Sequence, residues 1–328
     1  MRAIVVDSSH QLSWQEVEDP TCAPHQVLVD IHASAVNRAD LLQRVGQYPP
    51  PPGAPPYMGL EMAGTICQIG KNVCGWQVGD RVLALLSGGG YAERVAVPAY
   101  HLIALPKEWD FTRGAAIPEV FLTAFVNLFS EAQLQAGETV LIHGGASGVG
   151  TAAIQLAREA GCRVIATAGT SAKIERCRAL GAELAINYRT DDFAEAVQAH
   201  CEGVDVVLDI SAADYLERNV CLLKRGGRLV FIALLSGPRA TLDIGQVLGK
   251  RLHLIGSTLR GRSDAEKASI TRAFSERFWP LILSGAIVPV IDTILPIERV
   301  DEAQQMLAEN RTIGKVVLTV RTEGKTHE

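Results

Sequence analysis

The sequence predicts an α/β protein in two domains, a mostly β part joined to a doubly wound parallel sheet of six strands. Three observations carry that expectation. The chain has 328 residues, beyond the size at which one core usually keeps growing. Up to about residue 120, short β-type runs are punctuated by glycine and proline. From Thr139 apolar runs alternate with helical stretches, the pattern of a parallel sheet covered by helices.

In the first part the β runs are Ala3-Ile-Val-Val6, Val27-Leu-Val-Asp-Ile31 and Arg81-Val-Leu-Ala-Leu-Leu86. The segment Tyr48-Pro-Pro-Pro-Pro-Gly-Ala-Pro-Pro56 suits neither helix nor central strand and fits polyproline geometry. It is either a stiff surface loop or a rigid wall that presents Tyr48 to a substrate. The second part reads as successive units: strand Thr139–His143 and a helix over 149–160, strand Arg163–Thr167 and a helix over 171–180, then strands at 184–187, 204–208, 228–232 and 252–256. Six parallel strands make a full dinucleotide-type fold. Beyond about residue 262 follow a helix over 265–283, a β run at 288–294, a helix over 297–309 and a strand at 314–319. That segment is too short for a core of its own and is expected to return to the first domain. The domain limits are therefore 1–120 with 263–328, and 121–262. The charged stretch from Arg321 to Glu328 is expected to fray.

Composition excludes several classes. The chain is 48% apolar and 20% charged, as globular proteins are. Its net charge of -5, with both signs interspersed, leaves no basic stripe for nucleic acid. The N-terminus lacks the apolar region of a signal peptide, and no segment approaches about 18 uninterrupted apolar residues, so a cytoplasmic protein without a membrane partner is expected. Seven cysteines, none spaced CxxC, read as buried thiols in a reducing compartment.

The segment His143-Gly-Gly-Ala-Ser-Gly-Val-Gly150 lies between a predicted strand and a predicted helix. In that context glycines let the backbone approach a diphosphate, and the helix N-terminus stabilises the anion. Gly145, Ser147, Gly148, Val149 and Gly150 are the candidate binding residues, with Ser147 standing where a strict motif has its middle glycine. An acid that would bond a ribose hydroxyl is expected about 20 positions later. Here the next strand ends Ala166-Thr-Ala-Gly-Thr-Ser-Ala-Lys173, without one. The missing carboxylate removes repulsion against a 2'-phosphate, the small hydroxyl residues beside Gly169 supply donors, Lys173 supplies charge, and Tyr188 closes the third strand and could stack on or bond near the adenosine end. NADPH is favoured over NADH.

With these residues in view, the chain resembles the medium-chain dehydrogenase/reductase superfamily, in particular its zinc-free quinone oxidoreductase (zeta-crystallin-like) branch. The resemblance spans nearly the whole chain through Asn37-Arg-Ala-Asp40, Gln47-Tyr-Pro-Pro50, Gly59-Leu-Glu-Met-Ala-Gly64, Val78-Gly-Asp-Arg-Val82, Gly148-Val-Gly-Thr-Ala-Ala-Ile-Gln-Leu156, Ile186-Asn-Tyr188 and Ile313-Gly-Lys315. It implies a GroES-like catalytic domain made from both chain ends, a Rossmann domain between them with a substrate cleft at the junction, and a homodimer paired through the edge segment 251–258. It also implies cofactor contacts at Ala233, Leu234, Ser257, Leu259 and Lys315.

Zinc-dependent relatives carry a cysteine where this chain resembles them at Asn37, and a His-Glu pair at Leu60-Glu61. Asparagine and leucine are not zinc ligands, so no metal is expected. Glu61 is then expected to be a buried, paired structural acid. The implied activity is hydride transfer from NADPH to a quinone or enone, with Asn37 or Tyr48 donating to the developing oxyanion. Asp40 is either part of that catalytic group or a helix cap. An enoyl-thioester or alkenal reductase, and a non-enzymatic crystallin-like NADPH-binding protein, are the alternatives.

Overall fold

Val27, Val29 and Ile31 alternate with less buried neighbours along the strand Gln26–Ala35, and that alternation builds the first core of the computed structural model. They pack against Met62, Ile66, Val82 and Ala84 from the next two strands. The strands run in the order Ile291–Pro296, Lys315–Thr319, Gln26–Ala35, Glu61–Ile69, Arg81–Leu85 and Leu102–Ala104, with Arg94–Pro98 also paired to Gln26–Ala35. All these pairings are antiparallel except that of Ile291–Pro296 with Lys315–Thr319. The C-terminal strand thus joins the sheet beside Gln26–Ala35, with Val317 opposite Ala35.

That sheet belongs to a unit made of Met1–Leu122, Arg260–Leu283 and the residues from Val288 on. A second unit holds Thr123–Leu259 together with Ser284–Ile287. The described residues are 1–321; of the tail expected to fray, only Arg321 lies among them.

The second unit is an α/β sheet of six strands, all parallel, in the order Leu184–Asn187, Arg163–Ala168, Thr139–Ile142, Val204–Asp209, Leu223–Phe231 and His253–Gly256. Leu141, Ile165, Val207 and Leu229, one from each of four strands, meet Phe193 and Val197 in one buried cluster. The first strand in sequence, Thr139–Ile142, lies between the second and the fourth. The chain therefore leaves it toward opposite sides, and a crevice for ligands opens beyond its carboxyl end. Residues 143–150 occupy that place.

Three element expectations change in detail. The β run expected at 288–294 is the strand Ile291–Pro296. The helix expected over 265–283 is two helices, Asp264–Arg277 and Trp279–Leu283. Pro280 has no N–H to bond back into the preceding turn, and its ring would crowd the carbonyl four residues earlier. The strand expected at 228–232 begins at Leu223, where pairing with Val204 precedes an irregular stretch. The cysteine expectation needs a larger correction. None of the seven forms a disulfide, but only Cys177 is buried, while Cys74 and Cys221 are exposed. No helix among the described residues is long and apolar enough to cross a membrane.

Candidate functional site

The turn after Thr139–Ile142 is shaped by backbone contacts that exclude side chains. Gly144 has a φ of +67°, a region L side chains rarely adopt. A Cβ on Gly150 would lie 2.2 Å from the Gly144 carbonyl oxygen, and one on Gly145 would lie 2.8 Å from the Ala166 Cβ and 2.9 Å from the Cys177 sulfur. Only glycine lets the helix Gly148–Glu159 start this close to the sheet. Ser147 is the N-cap: its hydroxyl accepts from the Gly150 N–H at 3.0 Å. The departure from a strict glycine motif is thus a helix cap. The N–H groups of Gly148 and Val149 have no protein acceptor among the described residues. Two open donors at the positive end of a helix dipole form a site for an anion.

One strand over, Arg163–Ala168 ends at Gly169, and Thr170 caps the helix Ser171–Leu180. A Cβ on Gly169 would meet the Tyr188 hydroxyl at 2.6 Å and the Arg189 Nε at 3.2 Å. The half-buried Lys173 lies in the first turn of the same helix. The structure therefore brings Gly169, Lys173 and Tyr188 to one corner, and Arg189 joins them. Its adjacency to Tyr188 was the available signal. Further along, Ala233 and the exposed Leu234 follow the strand Leu223–Phe231, whose Phe231 carbonyl accepts from the Ser257 N–H at 3.1 Å; Leu259 is buried.

The first unit contains a second polar group of residues. Sheet register brings the end of Gln26–Ala35 beside the starts of Glu61–Ile69 and Lys315–Thr319. The Lys315 amino group donates to the Val36 carbonyl at 2.8 Å, to the Asn37 Oδ1 at 2.6 Å and to Glu61 at 2.8 Å. Asn37 donates through its amide to Glu61 at 2.8 Å and to the Ala35 carbonyl at 3.3 Å. Lys315 and Glu61 are 3% and 0% exposed, which makes Glu61 the buried, paired acid the sequence predicts.

This geometry changes the roles expected for three residues. Lys315 has all three N–H bonds engaged within the protein, so it braces the site and has no donor left for a cofactor. Both amide hydrogens of Asn37 are likewise engaged, so it has none for an oxyanion. Asp40 accepts from the Asn37 and Gly59 N–H groups and from the Tyr91 hydroxyl, and is completely enclosed. It secures the start of the helix Arg38–Arg44, and its carboxyl is shut off from the surface. Burial raises its pKa to about 6 against the pull of those three bonds.

Tyr48 is different. It is half-buried, and its hydroxyl has no protein partner among the described residues. Its loop is held by Arg260, a buried guanidinium that donates to the Tyr48 carbonyl at 3.2 Å, to the Ser87 carbonyl at 2.8 Å and to Gln43 at 2.8 Å, and whose carbon lies 5.3 Å from the tyrosine ring centre. Lys267 fixes the Ser87 hydroxyl at 2.6 Å. Sequence reasoning missed Arg260, Lys267 and Glu119. Pro118 announces a helix start, but nothing local says that the next residue, Glu119, points among charges rather than into water.

Comparison with known proteins places these units. The alcohol dehydrogenase GroES-like domain family matches residues 23–107, and the zinc-binding dehydrogenase family matches residues 148–274. The chain is 32% identical to the quinone oxidoreductase of Homo sapiens over 312 residues, 92% of each protein. It belongs to the medium-chain dehydrogenase/reductase superfamily. Among solved structures, this superfamily member is similar to an NAD-dependent alcohol dehydrogenase (TM-score 0.86, 32% identity, covering 98% of this chain and 100% of that one). It is also similar to the quinone oxidoreductase of Thermus thermophilus, determined with and without NADPH (TM-score 0.83, 31% identity, 98% and 100% covered).

The zinc named by the second family does not fit the residues present. The described residues contain no group of three His, Cys, Asp or Glu able to hold a metal. Asn37 and Leu60 offer an amide and a hydrocarbon where a ligand set would need thiolate or imidazole. The dinucleotide does fit the turn at 144–150, with its two open N–H donors and its glycine-lined approach.

Proposed function

We propose that this medium-chain dehydrogenase/reductase is an NADPH-dependent reductase of quinones or similar conjugated carbonyls that works without zinc. One observation carries the reading: the Asn37, Glu61 and Lys315 side chains satisfy one another where a metal-ligand set would otherwise stand. A Lewis acid helps turn an alcohol into an alkoxide. A conjugated carbonyl is already electrophilic, and positioning supplies much of its catalysis. The names of the human and Thermus relatives point the same way.

When bound, NADPH supplies the hydride from C4 of its nicotinamide. The chain's residues bind and orient. Gly148 and Val149 N–H groups hold the diphosphate, while Gly145 and Gly150 keep the helix close and Ser147 caps it. Lys173 attracts the 2'-phosphate beside Gly169 and Tyr188, with Arg189 adding a second cation. We extend the cofactor's course to Ala233, Leu234, Ser257 and Leu259, at or beyond the carboxyl ends of the later strands. Tyr48 donates its open hydroxyl to the acceptor's developing oxyanion.

A homodimer is part of the proposal. The strand His253–Gly256 is an edge of its sheet, and Leu254, Ile244 and Leu248 are exposed hydrophobic side chains on and before it. A cytosolic location suits seven cysteines that form no disulfide.

The test is NADPH and NADH consumption with 1,2-naphthoquinone, a 2-alkenal and an enoyl thioester. Fastest turnover with NADPH and the quinone, and a KM for NADPH raised about tenfold in Lys173→Ala through loss of a charge-assisted contact, support the proposal. Preference for NADH, or an unchanged KM in that variant, breaks the cofactor assignment. Preference for the enoyl thioester moves the acceptor to the double-bond class. Tight NADPH binding without turnover of any acceptor favours a non-enzymatic role.

A further inference from the structure

The first turn of the helix Pro118–Phe125 is tied to the polar cluster by the Glu119 backbone. The Glu119 carboxyl lies in the field of Glu61, Lys315, Asp40 and Arg260, and Tyr48 and Lys267 sense it in turn. Nearly all members of this group are bonded: Asn37, Asp40, Glu61, Tyr91, Arg260, Lys267 and Lys315 have the partners given above. Glu119 itself is anchored through its backbone, whose N–H donates to the Glu61 Oε2 at 2.8 Å. Its carboxyl, however, has no hydrogen-bond or ion-pair partner among the described residues, and it is not fully enclosed. Glu119 and Tyr48 are the two members whose polar ends remain open. Both are only partly buried, so their open ends face space that solvent or a ligand can enter.

We propose that Glu119 stores the proton that completes the reduction and passes it through the Tyr48 hydroxyl to the oxygen of the acceptor. This rests on the acceptor reading of the previous subsection. Reduction leaves the acceptor with one added hydrogen and an electron pair on its carbonyl oxygen. The Tyr48 O–H bond breaks as its proton forms the acceptor's new O–H bond. The two side chains are not hydrogen-bonded to each other, so a solvent molecule between them carries the proton: the Glu119 O–H bond breaks as its proton passes to that water, the water gives up one of its own to restore the tyrosine, and the carboxylate takes a proton from solvent before the next turnover. The balance needs no reductant beyond NADPH and no oxidant beyond the acceptor.

The electrostatics suit a group that holds its proton at neutral pH and can part with it. Burial first, then the neighbouring Glu61 and Asp40 carboxylates, push Glu119 upward, while Lys315 and Arg260 pull it down, leaving it at about 8. That value is near the working pH, where a general acid is most effective. Burial and the Glu119 charge raise Tyr48 above the usual phenol range, so the tyrosine keeps its proton until one is called for. Arg260 and Lys267 remain as cations to steady the carboxylate that forms. Asp40 cannot serve, because its carboxyl is enclosed and already accepts three bonds.

The experiment compares the full-length chain with Glu119→Gln and Tyr48→Phe. NADPH binding is followed by nicotinamide fluorescence and folding by thermal unfolding. In Glu119→Gln, kcat with 1,2-naphthoquinone at pH 7 should fall about 100-fold, the usual span for loss of a general acid, while the Kd for NADPH stays unchanged. The wild-type alkaline limb near pH 8 should disappear with it. Infrared spectra of the cofactor-free protein should show a protonated carboxyl band that titrates near pH 8 in the wild type and is missing in the variant. Tyr48→Phe should lose turnover but keep the band. A wild-type kcat and alkaline limb in Glu119→Gln, or no carboxyl titration near pH 8, overturns the proposal while the quinone reductase reading stands. If Glu119→Gln does not fold, Glu119→Asp replaces it and should keep the limb with a lower rate; loss of the limb in the aspartate variant also overturns the proposal. A wild-type chain that binds NADPH but reduces no acceptor overturns the functional reading and this inference with it.

Discussion

The two polar regions of this molecule are built from opposite materials. The turn at 144–150 is backbone: carbonyls, N–H groups and positions where a Cβ has no room. The group around Asn37, Glu61, Glu119, Arg260 and Lys315 is side chain, with several ionisable groups gathered from separate segments. The difference teaches how each part should fail. A backbone site fails locally, when one atom too many is added. A buried charge network fails as a whole, because removing one partner leaves another uncompensated in a low-dielectric setting.

The largest effect should therefore come from Lys315→Met, which strands the fully buried Glu61 carboxylate. A loss of about 3–5 kcal/mol, read from the midpoint of urea unfolding, is expected for breaking such a pair. Gly150→Ala should cost less, roughly 2–3 kcal/mol of strain, yet weaken NADPH binding by isothermal titration at least tenfold, since the new Cβ would press on the Gly144 carbonyl. The contrast collapses if the glycine change unfolds the protein more readily than the lysine change.

A pH titration sharpens the charge-network side. Glu119 ordinarily ionises near 4.5 and is pushed up to about 8. Across that interval the folded chain keeps a proton that the unfolded chain has released, so this group lowers stability as pH rises from about 4.5 to 8. Glu119→Gln removes that slope. Relative to wild type it should gain on the order of 1–3 kcal/mol between pH 5 and pH 8, less than the full shift because the carboxyl retains some solvent access. Parallel stability curves for the two proteins would show that the carboxyl does not hold its proton. The smallest effect belongs to Ser147→Ala, about 1 kcal/mol for a lost N-cap, seen as a small fall in Tm with the fold intact.

The same division explains what could be read from the sequence. The glycines of 144–150 are contiguous and sit between a β run and a helical run, so local chemistry is enough to reveal them. The six parallel strands follow from short runs rich in apolar residues, as do the two β segments that complete the first sheet. The roles of Asn37, Asp40 and Lys315 depend on which atoms face one another across that sheet, and no local pattern encodes that register. Glu119 and Arg260 read as ordinary surface charges until the fold brings them into this cluster. Pro280 was visible as a helix breaker and should have divided the helix expected over 265–283.

The corner at Gly169 bears on how cofactor preference can be altered. A carboxylate placed there to favour a ribose hydroxyl would have its first carbon against the Tyr188 phenol, 2.6 Å from the oxygen. The tyrosine is 40% exposed and has room to swing away, but its place over the strand end would be given up. Changing this protein from one nicotinamide dinucleotide to the other is thus a problem of at least two coupled positions, and a library that varies Gly169 alone would sample only variants that have already lost the neighbouring ring.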